Sequence, residues 1–382
     1  MYKSVAFTLL GLAFSALLSA QELVNPRRGA ALYEAMLQEK TPLEAHVYPL
    51  RVSLNFNFRF QAGYYFETPS AQFSGSGHNL AVMLRVVPEG KPAVYLGTRH
   101  TLPEIPEDKK LKGNHLGIGG VFYLGDGNYT VDFVLIDDRG RVYHTVQKIH
   151  ARRTGAEKDL KQVLAAGEVK SLSSLRMRSP EAGDNKPLKL TLMLHAAPNY
   201  ARSTVFRPQD LSRLIGAMTG ILEQVPVKSL RVVAFNLDQQ KELYRNEAFE
   251  PGQFEKLEQA LMPIQLGTVD INVLKNKSGY VDLLAGMISQ ELHAADSSET
   301  VIVLGPPSRL QDSVRSGVIE ENPANGPRFF YFEYHSLRER GQAQFPDTIE
   351  SAMKRVGGKV FHIFTAGDFA KALAELKRMV RG

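Results

Sequence analysis

Apolar and polar residues alternate along the first part of the chain, in short runs separated by turn-forming residues. In residues 50–59 every second position is apolar, and 80–87 and 129–136 are further short runs rich in apolar residues. Alternation with a period of two is typical of strands that bury one face. Six or more such strands predict an antiparallel β-sandwich over residues 45–152, with the aromatic residues of the first run on one face of the sandwich.

Residues 187–382 follow a different pattern, in which short apolar runs alternate with longer amphipathic segments. The runs 188–194, 230–235 and 300–304 are typical of buried strands, and 208–224 carries apolar residues at helical spacing. Nearly continuous apolar strands indicate a sheet covered on both faces. The alternation predicts a doubly wound, mainly parallel, Rossmann-like α/β domain. The predicted fold class is therefore multidomain α+β, an antiparallel β-sandwich followed by this α/β domain.

These patterns divide the chain of 382 residues, which is long enough for two cores, into five segments. We expect a signal peptide at 1–20, an N-terminal extension with a short helix at 21–44, the sandwich at 45–152, a linker at 153–186 and the α/β domain at 187–382. The linker is rich in Ser, Arg, Pro, Gly and Asp towards its end, a composition typical of exposed connectors.

The N-terminus has the three parts of a secretory signal peptide. Lys3 precedes an apolar run at 5–18, and the small residues Ser19 and Ala20 follow it. The run is shorter than the roughly twenty residues that a membrane span needs. We expect cleavage near Gln21, a periplasmic or extracellular protein, and no membrane span in the mature chain. Retention of the segment as an N-terminal anchor stays open.

Composition removes several classes of function. The chain contains no Cys, which excludes disulfides, thiolate nucleophiles and thiolate zinc sites. Lys and Arg number 46 against 40 Asp and Glu, a net charge of +6 without any long basic block. A mild excess spread in this way indicates solubility rather than a nucleic-acid surface, so we predict no nucleic-acid partner.

Four segments of the second unit carry a family likeness. In order, 190–199 joins a strand to a polar loop, 231–236 and 300–305 are buried strands, and 357–369 leads from two glycines through a strand into the last helix. This order resembles a von Willebrand factor A domain of the type found in secreted bacterial A-domain-related proteins. The stretch 127–142 resembles the closing hairpin of immunoglobulin-like domains. The first resemblance implies a magnesium site built from Asp-x-Ser-x-Ser, a Thr and a late Asp, oxygen ligands that suit a hard cation.

The chain departs from that pattern at every ligand position. His195 stands at the first Asp, Ala197 at the first Ser and Asn199 at the second Ser, while Ser278 is the nearest counterpart of the Thr and Pro306 lies where the last Asp belongs. No carboxylate remains at these positions to offset the dehydration of magnesium. We therefore predict a degenerate site that binds no metal and no cofactor and contains no catalytic residue.

Other catalytic patterns are absent from the sequence. Its ten histidines form no His-Glu-x-x-His pair, and no Gly-x-Ser-x-Gly elbow follows a strand. His195, His335 and His362 each come near the end of a predicted strand, so a cluster is conceivable. We favour the interpretation that they are independent histidines.

The leading hypothesis is an exported, non-enzymatic protein-binding or scaffold protein. Open α/β sheets bind ligands at the carboxyl ends of their strands, which makes His195, Asn199, Tyr200, Ser278 and Pro306 the candidate contact patch. Two alternatives stay open, a metal-assisted hydrolase that uses the scattered histidines and a purely structural envelope component. The sequence specifies neither the protein partner nor the oligomeric state.

Overall fold

The computed structural model describes most of the chain after the predicted signal peptide. The described residues are 21–39, 41–75, 77–102, 104–105, 115–154, 157–158, 160, 163–171, 187–200, 203–261, 264, 273, 275–294, 296–341 and 345–381. The predicted signal peptide and residues 172–186 of the predicted linker lie outside this set. Among the described residues, no helix is both long enough and apolar enough to cross a membrane.

Sixteen strands and six α-helices span the described residues. The strands are β1 Glu22–Val24, β2 Thr41–Pro42, β3 His46–Leu54, β4 Phe60–Pro69, β5 Asn79–Pro88, β6 Val94–Thr101, β7 His115–Leu124, β8 Gly127–Asp137, β9 Arg141–Ala151, β10 Val169–Ser171, β11 Leu188–His195, β12 Val227–Asn236, β13 Lys241–Asn246, β14 Thr300–Gly305, β15 Arg328–Tyr334 and β16 Lys359–Ile363. The helices are α1 Pro26–Gln38, α2 Pro208–Leu222, α3 Phe254–Leu261, α4 Gly279–His293, α5 Thr348–Arg355 and α6 Ala366–Arg381.

The strands form three sheets. The first has the order β1-β6-β5-β8-β9-β2, the second β10-β7-β4-β3 and the third β13-β12-β11-β14-β15-β16. One core lies between the first two sheets and contains Phe66 and Phe133. The third sheet is buried on both faces, with Leu192 in the core beneath α2 and α6 and Met193 in the core beneath α4 and α5. Successive strand residues point to opposite faces, which explains why neighbours in β11 serve different cores.

The predicted fold class is wrong as a description of this chain. Strands in three sheets dominate the described residues, and two of these sheets are mixed. The first sheet contains a parallel pair, β2 with β9, and the third contains an antiparallel pair, β12 with β13. Short edge strands carry little hydrophobic signal, and their direction is set by the partner strand rather than by their own pattern. The sequence pattern therefore marked apolar strands without fixing how the sheets are assembled.

The turn between β3 and β4 joins the first two sheets to the third. The alternation over residues 50–59 predicted one continuous strand, but β3 ends at Leu54, and Phe58 has a positive φ of 56°. Phe56 and Phe58 pack in the core beneath α2 and α6, where the Phe56 ring stacks 5.0 Å from the ring of Phe369. The prediction that these aromatic residues share one sandwich face is therefore wrong, because only Phe60 belongs to the sandwich core.

Polar contacts hold the same turn against α2. Arg59 forms a two-point ion pair with Glu223, with nitrogen–oxygen distances of 2.7 and 3.0 Å. The two side chains are only 4% and 5% exposed. The side-chain amide of Asn55 donates to the Ser212 carbonyl oxygen over 3.2 Å. The hydroxyl of Tyr123 on β7 lies 3.0 Å from the Ser212 hydroxyl. Charge-assisted, two-point contacts of this kind fix both position and orientation.

We expect Arg59→Met to lower the free energy of unfolding by about 3–5 kcal/mol, because it leaves the Glu223 carboxylate buried without its partner. Urea unfolding of the full chain measures this loss. The control is Arg378→Met, which removes an exposed ion pair with Glu375 and should change nothing measurable. The double variant Arg59→Met/Glu223→Met should recover much of the loss. Equal losses in Arg59→Met and the control would contradict the importance of the pair.

Candidate functional site

The candidate site lies at the edge of the third sheet where the five parallel strands end. Leu194 pairs with Leu304, Gly305 with Glu333, and Glu333 with His362. His195, the residue after Leu194, stands beside Gly305. Paired residues of parallel strands project to the same face of a sheet. The register therefore places side chains from β11, β15 and β16 in one row across this edge.

Side-chain caps start two helices at this same edge. The Asp347 carboxylate accepts the Glu350 amide at the start of α5 over 2.7 Å. At the start of α6, Asp368 accepts the Thr365 amide over 3.0 Å, and the Thr365 hydroxyl accepts the Asp368 amide over 3.1 Å. These reciprocal bonds satisfy amides that have no partner within the helix. The helices that follow β15 and β16 therefore both begin at a fixed point.

His195 is buried, with 1% of its surface exposed. Its ring stacks on Phe235 at 5.3 Å, and its Nδ1 lies 2.9 Å from the Pro306 carbonyl oxygen. A carbonyl oxygen only accepts, so Nδ1 carries the proton in this bond. Burial lowers the pKa of His195, which favours the neutral imidazole. Its Nε2 has no hydrogen-bond partner among the described residues, and Ala197 is buried beside it with its amide bonded to the His195 carbonyl oxygen.

The other positions predicted for the site lie apart from this contact. The amide of Asn199 donates to Asp210 over 3.1 Å, while the hydroxyl of exposed Ser278 donates to Asp282 over 3.1 Å. Tyr200 is 47% exposed. The structure thus brings His195 and Pro306 together and buries both, whereas Tyr200 and Ser278 are the two predicted contact residues that face solvent.

Sequence reasoning missed a carboxylate at this edge. Asp347 is buried and accepts the backbone amide of Ser308, and the Tyr331 hydroxyl lies 3.3 Å from the same carboxylate oxygen. Burial raises the pKa of Asp347 to about 7. Asp before Thr348 is a helix-start signal, which could have identified the cap. Its oxygens bind the loop that follows β14 to the start of α5.

Two histidines meet a carboxylate at the ends of β15 and β16. The Oε2 atom of Glu333 lies 3.3 Å from Nε2 of His335 and 2.5 Å from Nδ1 of His362. One ligand atom from each of the three residues falls within 4.8 Å of the others. A hydrogen bond to Glu333 raises the pKa of His362. The interpretation of independent histidines is wrong for this pair, while His195 takes no part in the group.

His335 is held from several sides. Its ring stacks on Phe364 at 4.8 Å with an interplanar angle of 17°, and its backbone amide donates to the Ile363 carbonyl oxygen over 2.8 Å. Its Nδ1 lies 3.7 Å from Oε2 of Glu339, an oxygen that also accepts the Ser336 amide. Neither ring nitrogen makes a hydrogen bond of good geometry among the described residues. The ring is therefore positioned by packing, with each nitrogen near a carboxylate but without a well-formed hydrogen bond.

Exposed apolar side chains lie on two of the loops that leave this edge. Tyr200 and Val205 lie on the loop after β11, and Leu337 and Phe345 on the loop after β15. Phe345 is 72% exposed. Because β11 and β15 are parallel to the strand between them, both loops leave the sheet at the same edge. Four large apolar side chains thus face solvent on loops that leave this edge.

No protein-family model matches the chain, and no curated protein matches it. Among solved structures, a variant of the PilB minor pilin from Streptococcus sanguinis is 10% identical with a TM-score of 0.25, covering 93% of this chain and 96% of that one. The catalytically inactive OgpA from Akkermansia muciniphila, solved with an O-glycopeptide substrate, is 11% identical with a TM-score of 0.19, covering 29% of each chain.

A putative β-galactosidase from Bacteroides fragilis is 10% identical with a TM-score of 0.20, covering 76% of this chain and 42% of that one. This chain therefore matches less than a third of OgpA and less than half of the β-galactosidase. Similarities at this level support no conclusion about fold or function. The proposed function therefore rests on the burial, contacts and exposure of the residues at the edge itself.

Gly305→Ala tests the packing of the row. A Cβ at this position would lie 2.6 Å from both the carbonyl oxygen and the Cβ of His195. Because one of these atoms belongs to the backbone, we expect a loss of about 1–3 kcal/mol in the free energy of unfolding, measured by urea titration. The control is Gly286→Ala on α4, where the added carbon meets no atom within 4 Å and Ala favours the helix. Unchanged stability in Gly305→Ala would contradict the close approach of β11 and β14.

Proposed function

We propose that this chain is an exported, non-enzymatic protein-binding protein and that it binds its partner at the carboxyl edge of the third sheet. The observation that carries the proposal is the exposure of Tyr200, Val205, Leu337 and Phe345 on two loops of one edge. Grouped apolar side chains in solvent are a feature of interaction sites in soluble proteins. The resemblance to von Willebrand factor A domains, which stays a prediction, implies binding at the same edge.

The chemistry of these loops suits a protein partner. Aromatic side chains such as Tyr200 and Phe345 bury a large apolar area at low entropic cost and dominate many interfaces. The predicted contact patch changes accordingly. Tyr200 and Ser278, which are exposed, stay in it, whereas His195 and Pro306 are buried and bonded to each other.

A capture experiment with matched variants tests this proposal. Full-length protein is used as bait against the envelope fraction of its source cells, in parallel with Tyr200→Ser and Phe345→Ser. We expect each variant to weaken binding of a recovered partner by at least about tenfold, because aromatic hot-spot residues contribute about 2 kcal/mol or more and about 1.4 kcal/mol is tenfold in affinity. Titration of the purified partner measures the change.

Tyr48→Ser is the matched control. Tyr48 is 46% exposed, nearly the same fraction as the 47% of Tyr200, but it lies on β3 in the second sheet. It should bind the partner as the unmodified chain does. A partner bound equally by all four proteins would place the binding surface elsewhere, and failure to recover any partner that is sensitive to these positions would overturn the proposal.

Metal-assisted hydrolysis is the second candidate function, favoured by one observation. Glu333, His335 and His362 converge, whereas the sequence interpretation kept the histidines apart. Zinc-dependent hydrolysis, lost in His362→Ala, would favour this candidate over a purely binding role. A structural envelope component would show neither hydrolysis nor a partner sensitive to Tyr200→Ser.

A further inference from the structure

We infer that Glu333, His335 and His362 form a binding site for a zinc ion, with one coordination position left for water or another ligand. The site lies at the ends of β15 and β16 and shares no residue with the degenerate positions at His195 and Pro306. It therefore adds a metal function to a chain whose sequence pattern predicted none.

The fold brings the three side chains together by simple rules. Glu333 and His335 are two residues apart at the end of β15, and residues at this spacing in extended chain project to the same side. Glu333 pairs directly with His362 on β16. The site therefore depends on one strand register and one strand end, both of which lie among buried residues.

The two carboxylate–imidazole distances are close to those around a small tetrahedral ion, and the two imidazole nitrogens lie within 4.8 Å of each other. Zinc–nitrogen and zinc–oxygen bonds of about 2.0–2.1 Å place two ligand atoms about 3.3 Å apart. The Oε2 atom of Glu333 and Nε2 of His335 are 3.3 Å apart. The contact between Glu333 and Nδ1 of His362, at 2.5 Å, has to open by less than 1 Å. His362 is the most accessible of the three side chains, so this adjustment falls on the residue best able to move.

His335 supplies an independent reason to expect a ligand. It is 2% exposed, and neither of its ring nitrogens has a hydrogen-bond partner of good geometry among the described residues. A buried polar group without a well-formed hydrogen bond is destabilising, and a bound ion would supply a partner for Nε2 of His335. With Nε2 directed at the metal, Nδ1 faces Glu339 at 3.7 Å. Carboxylates behind ligating histidines commonly orient the ring and raise its basicity.

The ligand set selects the class of metal. Two imidazoles and one carboxylate suit zinc and its late first-row neighbours, whereas magnesium and calcium prefer a shell of oxygen atoms. Three protein ligands leave a fourth tetrahedral position, and solvent reaches the group on the side of His362. The alternative occupant of the group is a proton, shared in an ion pair between His362 and Glu333.

Zinc titration of the full chain distinguishes the two states. The untagged protein is treated with EDTA, dialysed and titrated with zinc chloride in a calorimeter, with magnesium chloride as a parallel run. We expect one zinc ion per chain and no magnesium binding at the same concentrations. His362→Ala and Glu333→Gln should each weaken zinc binding at least about tenfold, and Glu339→Gln should weaken it about tenfold through the orientation of His335.

The control is His293→Ala, which removes a histidine that is 59% exposed and forms an ion pair with Glu320. It should bind zinc as the unmodified chain does. Thermal unfolding in EDTA checks that His362→Ala is folded, and cobalt absorption reports tetrahedral coordination in the unmodified chain. Absence of zinc binding, or binding that is unchanged in both His362→Ala and Glu333→Gln, would overturn the inference and assign the group to an ion pair.

Discussion

The buried ion pair between Arg59 and Glu223 is the constraint on which the arrangement of the sheets depends. Neither charge tolerates this environment alone, so the β3–β4 turn has to stay docked on α2 for either residue to remain where it is. Docking places Phe56 against Phe369 of α6, the helix that follows β16. The sandwich and the third sheet are thus connected through α6, which begins at Ala366, shortly after His362 in the chain.

At the carboxyl edge of the third sheet, several polar side chains are buried and need hydrogen-bond partners. The strands are mostly apolar, yet His195 is the last residue of β11, and Glu333 and His362 are the next-to-last residues of β15 and β16. The loop beyond β15 contains His335 and Asp347. Helix caps and backbone contacts satisfy part of this polarity, as the Asp347 carboxylate does for Ser308 and Glu350. Nε2 of His195 and the two ring nitrogens of His335 are buried without a well-formed hydrogen bond among the described residues. Such groups are rare in folded proteins and can mark a site that binds a ligand.

Sequence patterns predicted the apolar strands well because whether a strand is buried depends on the hydrophobicity of its own residues. They failed where the outcome depends on a distant partner. Alternation continued through Phe56 and Phe58, but the chain turns after Leu54 and both rings enter another core. The approach of His335 and His362 depends on the pairing of β15 with β16, which no local pattern specifies. A Glu-x-His at one strand end with a His at the next was the available signal.

Two of the exposed apolar residues, Leu337 and Phe345, lie on the same loop as His335, and this connection bears on both proposals. The loop after β15 carries His335 and Glu339 near its start, Phe345 near its end, and Asp347 at the cap of α5. Packing of His335 on Phe364 and the Asp347 cap hold its two ends to the sheet. A loop fixed at both ends presents an exposed aromatic ring with less ordering left to do on association, which favours affinity. Further immobilisation of the His335 side chain would restrict the motion of the loop near its start, where Leu337 is exposed.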